Sequence, residues 1–287
     1  MNEQSMEKHG ASEGTVKLGL ALSGGGFRAS FFHIGVLAQM AMQGLLRHVE
    51  VISTVSGGSI IGALYYLHIK CLLESRADED IEDRDYQDLV ERIERDFLAG
   101  VQTNIRMSTF ADFGANLKMG RAEYSRSDRI AELYNDILYQ PVQHGLSAPV
   151  RMRELKIQPK GADPDFHPER DNAGRSSRVP ILLINATTLN TGHSWWFTAS
   201  RMGEPPRGDS LAREIDMKAV RLRWPPSYDA VVAHQRDFPL GHAVAASACV
   251  PGIFHPLAIS GLYQDLRVQL VDGGVHDNQG VQGLLGE

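Results

Sequence analysis

Ser56 stands between Val55 and Gly57-Gly58, after the apolar run Val49–Ser53 and before Ile60–Leu67. This pattern predicts a short strand, a sharp turn with Ser56 at its tip, and then a helix. A serine there is lifted clear of the sheet edge. Its neighbours Gly57 and Gly58 carry no side chain, as close passage of strand and helix requires. Such a hydroxyl is a candidate nucleophile for acyl transfer. Two further segments supply the rest of that chemistry. Ser23-Gly24-Gly25-Gly26-Phe27-Arg28 follows the first strand candidate, and its N–H groups, at the start of a helix, can converge on an anion. Val271-Asp272-Gly273-Gly274 lies near the end of the chain, where Asp272 offers a carboxylate base.

Each motif also has a plainer reading. Thr54 occupies the place of the first glycine in Gly-x-Ser-x-Gly, and a tight turn without chemistry fits the remainder. Ser59 is a rival nucleophile, with Ile61 where its trailing glycine should stand, and Ser53 lies inside the strand. The glycine loop lacks the Gly-Lys-Ser/Thr ending of a phosphate-binding P-loop and the spacing of a dinucleotide site. Arg28 opposes the helix dipole; an acidic partner or a substrate phosphate would account for it, and an exposed arginine is the simpler alternative. Asp272 before Gly273 is also a common turn, in which the aspartate bonds its own backbone. Asp277-Asn278 reads as a helix cap rather than a base.

The elements that must position these groups follow from periodicity. Val16–Leu22 reads as a buried strand, and Phe32, Val36, Leu37 and Met40 recur at helical spacing up to a stop at Gly44. After the Ser56 turn, Ile60, Ile61, Leu64 and Leu67 mark the buried face of a second helix. This order predicts an α/β fold with helices on both faces of a mostly parallel sheet. Residues 74–178 change character. Tyr86, Leu89, Val90, Ile93 and Phe97 mark one amphipathic helix, and Ile130, Leu133, Tyr134, Ile137 and Leu138 another, with Ser125 or Ser127 as its N-cap. Gln158–Ser177 is long and polar, and reads as a mobile loop or a partial cap over a site. Strands are expected at Val179–Asn185, Ser194–Ala199 and Arg267–Val271, and a helix at Leu240–Cys249. A further helix begins near Asn278–Gly280, so the end at Glu287 reads as abrupt, a boundary short of a longer C-terminal region.

The 287 residues suffice for one large α/β domain, here 16–287 preceded by a disordered tail over 1–15. A formal charge of −6, from 29 basic and 35 acidic residues, argues against a nucleic-acid partner. Cys71 and Cys249, the only cysteines, form neither a disulfide framework nor a zinc site. The eleven histidines show no metal-ligand spacing, so neither metal nor cofactor is expected. The polar N-terminus is not a secretory signal, and no apolar run nears the roughly 20 residues that cross a bilayer. A cytoplasmic or peripheral-membrane location fits. Trp195-Trp196-Phe197, the densest aromatic cluster, is a candidate membrane contact, with core packing as the alternative.

The three motifs, in this order, resemble the patatin-like phospholipases. Pro180–Gly192 and Ala243–Pro256 add to the similarity, which spans Lys17–Gly280, with 74–178 as a lineage-specific insertion. The resemblance implies a three-layer α/β/α fold and hydrolysis of phospholipids or other acyl-ester lipids. It further implies a Ser56–Asp272 dyad, with an oxyanion loop of Gly24, Gly25, Gly26 and Phe27 completed by Arg28. Two alternatives stand beside it: a Ser-His-Asp esterase using His276, and a catalytically silent lipid-binding module.

Overall fold

The computed structural model describes residues 17–102, 125–143, 148–205, 222 and 227–285. The expected tail over 1–15 lies outside them, as does the stretch 103–124 of the segment 74–178.

Strand β1 (Leu18–Leu22) leads through the glycine loop into helix α1 (Gly26–Met42), and β2 (Val49–Val55) leads through Ser56 into α2 (Gly57–Ser75). There follow α3 (Asp83–Gln102), α4 (Arg126–Tyr134) and the single turn α5 (Pro168–Asp171). Strands β3 (Ile181–Thr188), β4 (Ser194–Phe197) and β5 (Met202–Gly203) come next, then α6 (Ala233–Arg236) and α7 (Leu240–Ser247). The chain closes with β6 (Leu257–Tyr263), β7 (Leu266–Asp272), α8 (Gly274–Asp277) and α9 (Val281–Leu285).

These strands form one sheet, with β1, β2 and β3 parallel and β4, β5, β6 and β7 joined by antiparallel pairings. The fold class is the expected one. Helices cover both faces. Gly62 of α2 sits against Leu22 and Thr54, whereas Gly283 of α9 sits against Ser53 and Leu183, neighbours in the strands that point the other way. Helix α7 lies beside α2 and against β3 and β7.

The register of β3 determines where the site forms. Val51–Val55 of β2 pair with Ile181–Asn185, and Leu270–Asp272 of β7 pair with Thr188–Ala186. Strand β4 overlaps both sets, pairing with Ile184–Thr187, so it fills the opposite edge of β3. Strands β2 and β7 therefore share one edge and meet end to end, Val55 opposite Asn185 and Asp272 opposite Ala186.

Packing alters several sequence expectations. Helix α1 begins at Gly26 and buries Ser30, His33, Ile34, Leu37 and Ala41, which turns Phe32 outward to 69% exposure. Helix α2 is buried nearly all round, because the sheet lies below it and α1, α3 and α7 surround it. Helix α3 buries the five expected residues, with Phe97 set edge-on against Phe27 and Phe31. Ser125 caps α4 in a reciprocal pair with Asp128. Trp195, Trp196 and Phe197 are all buried in β4, at 5% exposure or less, so this cluster belongs to the core and not to a membrane contact. Gln158–Ser177 is pinned. Asp78 accepts hydrogen bonds from the N–H groups of Ser176 and Ser177 and from Arg175, while Phe166 is buried. His167, Pro168 and Glu169 border a cavity of ≈ 380 Å³ that contains neither Ser56 nor Asp272.

Candidate active site

Ser56 lies directly between β2 and α2, with φ 51° and ψ −117°, a left-handed backbone that a non-glycine residue adopts only when its surroundings hold it there. The chain can turn so sharply because of the two following glycines. A Cβ on Gly57 would lie 2.0 Å from the carbonyl oxygen of Gly26, and one on Gly58 would lie 2.1 Å from that of Leu22. The Ser56 turn and the glycine loop are thus packed backbone to backbone.

Thr54 is accommodated by an exchange of space. Its Cγ2 methyl lies 2.5 Å from where a Cβ on Gly62 would stand, so the glycine missing before Ser56 has a counterpart on α2. The Thr54 hydroxyl donates to the Leu183 carbonyl at 3.1 Å and accepts from Ser59 at 2.9 Å. Restoring the motif with Thr54→Gly should therefore destabilise the protein by about 2 kcal/mol, through lost hydrogen bonds and added chain entropy. Urea unfolding reads this, and an unchanged midpoint would make Thr54 a passive departure.

In the glycine loop, Gly25 (φ 143°) and Gly26 (φ 63°) adopt backbone angles that side chains disfavour. The N–H groups of Gly26 and Phe27 lie in the first turn of α1, at the positive end of the helix dipole. The Gly24 N–H is committed elsewhere, donating to the Asn278 carbonyl at 2.9 Å. Gly24 thus anchors the loop. The Phe27 ring packs on Phe97. Arg28 is exposed at the cavity and makes no hydrogen bond or ion pair with another described residue.

Asp272 ends β7 and is buried to 6% exposure. Its Oδ1 accepts from the Gly274 N–H at 2.7 Å, as a turn aspartate does. Burial pushes its carboxyl above the ordinary value, opposed by the neighbouring Ser56 side chain and by the hydrogen bond from Gly274. Gly25, Gly26, Arg28, Ser56 and Asp272 line a single cavity of ≈ 430 Å³ with Val250, Pro251, Gly274, Val275 and Asn278. A family model for patatin-like phospholipases matches residues 20–285. The chain belongs to this family. No individual curated protein matches the sequence.

The other candidates fall outside the cavity of this patatin-like phospholipase. Ser53 donates to the Gly280 carbonyl at 2.6 Å, Ser59 is bonded to Thr54, and both are fully buried. His276 sits on α8, exposed, with Nε2 3.1 Å from Gln282 Oε1. Asp277 accepts from the N–H groups of Gln279 and Gln282 and so does the capping work expected of it. Among the described residues no His, Cys, Asp and Glu cluster could hold a metal ion, and no helix is long and apolar enough to cross a membrane.

Three contributors escaped the sequence reading. Asn278 enters the cavity from the far side of the Asp272 turn, Asn185 bridges the strand junction, and Ser247 ends α7 beneath Ser56. A lone polar residue in each motif neighbourhood was the only available signal.

Proposed function

We propose that this member of a family of lipid acyl hydrolases cleaves carboxylic esters of phospholipids or related lipids through a Ser56 acyl-enzyme, within one catalytic domain spanning 16–287. The observation that supports it most is that Ser56 and the buried Asp272 line one cavity together with the glycine-rich N-terminus of α1. As Ser56 Oγ attacks the ester carbonyl, its proton passes to Asp272. The resulting oxyanion is met by N–H groups of Gly25, Gly26 and Phe27, aided by the α1 dipole. Collapse of the intermediate expels the alcohol, which takes the proton from Asp272. Water then attacks the acyl-enzyme, giving one proton to Asp272 and on to Ser56 as the acid departs. Arg28, exposed at the rim and making no hydrogen bond or ion pair with another described residue, suits a substrate phosphate.

A fluorophosphonate probe followed by peptide mapping tests the reading. The adduct is expected on the peptide containing Ser56. Labelling at Ser53 or Ser59 would displace the nucleophile, a histidine-dependent reaction would favour the Ser-His-Asp alternative, and an inert protein would leave a lipid-binding module.

Contact with a lipid interface is assigned to the cavity mouth in place of the tryptophans. Val250 and Val275 line the cavity at 39% and 58% exposure, and Ile253, on the same turn as Val250, is 61% exposed. These side chains would lose water on meeting a membrane surface. Ile253→Ser should lower hydrolysis of zwitterionic phospholipid vesicles by about tenfold, while a soluble short-chain ester is turned over as before. Equal rates on vesicles would remove this surface from the proposal.

A further inference from the structure

The nucleophile and the base come from strands that meet end to end, so neither strand continues past the junction to hold the other. A third element closes it. The Ser247 hydroxyl, fully buried at the C-terminal end of α7, accepts a hydrogen bond from the Ser56 N–H at 2.9 Å and donates to the Asn185 carbonyl at 2.5 Å. Ser59 Oγ lies 2.8 Å from it. The one Ser247 proton goes to Asn185 and a lone pair takes the Ser56 N–H; Ser59, whose single proton goes to Thr54, adds a contact without a further proton. The same stretch of chain holds the other half of the site. The Ser247 carbonyl accepts from the Gly273 N–H at 3.1 Å, and the Cys249 carbonyl accepts from the Asp272 N–H at 2.9 Å.

We infer that Ser247 is a positioning residue that fixes the Ser56 turn and the Asp272 turn to one helix end, setting the reach of the serine hydroxyl to the carboxylate. The inference rests on the Ser56–Asp272 reading above. Two features give it its force. The Ser56 backbone is in a left-handed conformation that requires external restraint, and its N–H is bonded to the Ser247 side chain. Asn185, whose carbonyl Ser247 holds, is the last β3 residue paired with β2, and its Nδ2 donates to the Thr54 carbonyl and to Ser53 Oγ, both at 2.9 Å. The hydroxyl is therefore bonded to both sides of the junction. A shift of an ångström between reacting groups costs about 100-fold in rate, so such a restraint bears directly on turnover.

The test compares wild-type protein, Ser247→Ala and Ser247→Cys on a soluble ester. Ser247→Ala is expected to lower kcat by roughly 10- to 100-fold with KM changed less than about twofold, and to slow phosphonate labelling of Ser56 in parallel. The acidic limb of its pH–rate profile should move to higher pH, because a Ser56 held less closely to Asp272 opposes less of the upward push of burial. Arg28 lines the same cavity as Asp272, His276 on α8 is bonded to Gln282, and the Cys249 thiol is pushed up to about 11 by burial. Ser247→Cys keeps a weak donor and acceptor of similar shape, and should bring both kcat and the limb part of the way back. A folded Ser247→Ala with wild-type kcat and an unmoved limb would overturn the inference. If Ser247→Ala fails to fold, the cysteine variant decides: an intermediate limb supports the role, and a wild-type profile overturns it. A wild type that the phosphonate leaves unlabelled, or labels elsewhere, removes the dyad and this inference with it. Labelling at Ser56 beside an indifferent Ser247 removes the inference alone.

Discussion

Asp272→Asn is expected to abolish turnover about as fully as Ser56→Ala, by roughly 10⁴- to 10⁶-fold, and the double variant should be little worse than either. The asparagine keeps the shape of the turn, including an oxygen for the Gly274 N–H at 2.7 Å, and removes only the basicity. In the wild type, kcat/KM should rise as Asp272 deprotonates, at a pH above the usual ~3.9 of aspartate, because burial holds its carboxyl up. The same shift predicts the stability. A carboxyl raised in the folded state binds its proton more tightly folded than unfolded. Its contribution is therefore complete below the unfolded pKa and lost as pH rises through the folded one. At neutral pH the charge opposes folding, so Asp272→Asn should be at least as stable as wild type while inactive. His276→Ala should retain most activity. A dead His276→Ala beside a working Asp272→Asn would sink the dyad.

The second large effect is structural. Gly57→Ala and Gly58→Ala should each lower stability by about 3 kcal/mol, the upper end for overpacking, because the new methyl meets main-chain atoms and not a side chain that can swing away. The contacts are 2.0 Å to Gly26 O and 2.1 Å to Leu22 O. Activity should fall as well, since relief of either clash moves the glycine loop relative to Ser56. Gly161→Ala is the control. Its φ is positive (78°), unlike those of Gly57 and Gly58, and a Cβ there meets nothing within 4 Å, so it should cost only about 1 kcal/mol, from the backbone alone. Denaturant midpoints at constant m decide the matter, and equal losses at Gly57 and Gly161 would refute the close-approach argument.

Much of this architecture was legible in the sequence because local chemistry encodes it. Glycine pairs mark turns, five apolar residues at helical spacing mark α3, and Ser125 with Asp128 marks the start of α4. The misreadings arose where tertiary contacts decide. Phe32 shares the helical spacing of Val36 and Met40, yet the helix starts at Gly26 and its phase is set by what packs on it, which favours His33 and Ile34. Trp195-Trp196-Phe197 offers no alternation of polar and apolar residues, and the absence means burial on both sides, as β4 shows. The mostly parallel sheet expected from the sequence holds for β1, β2 and β3. Ser56 and Asp272 both stand at strand ends, but β7 runs antiparallel to β3, and no local signal states the direction of a strand. Ser247 is an ordinary helix residue in sequence, and its place depends on contacts with Ser56, Asn185 and Gly273.

The end-to-end meeting of β2 and β7 also bears on the order in which the site forms. The Ser56 turn follows the second described strand, and Asp272 arrives with the last of them. Until β7 docks on β3, Ser56 is without Asp272 beside it. On the proposed dyad, a chain whose β7 has yet to dock carries its serine without the means to use it. The sheet then serves as a timing device, in which docking of β7 and onset of reactivity are a single event.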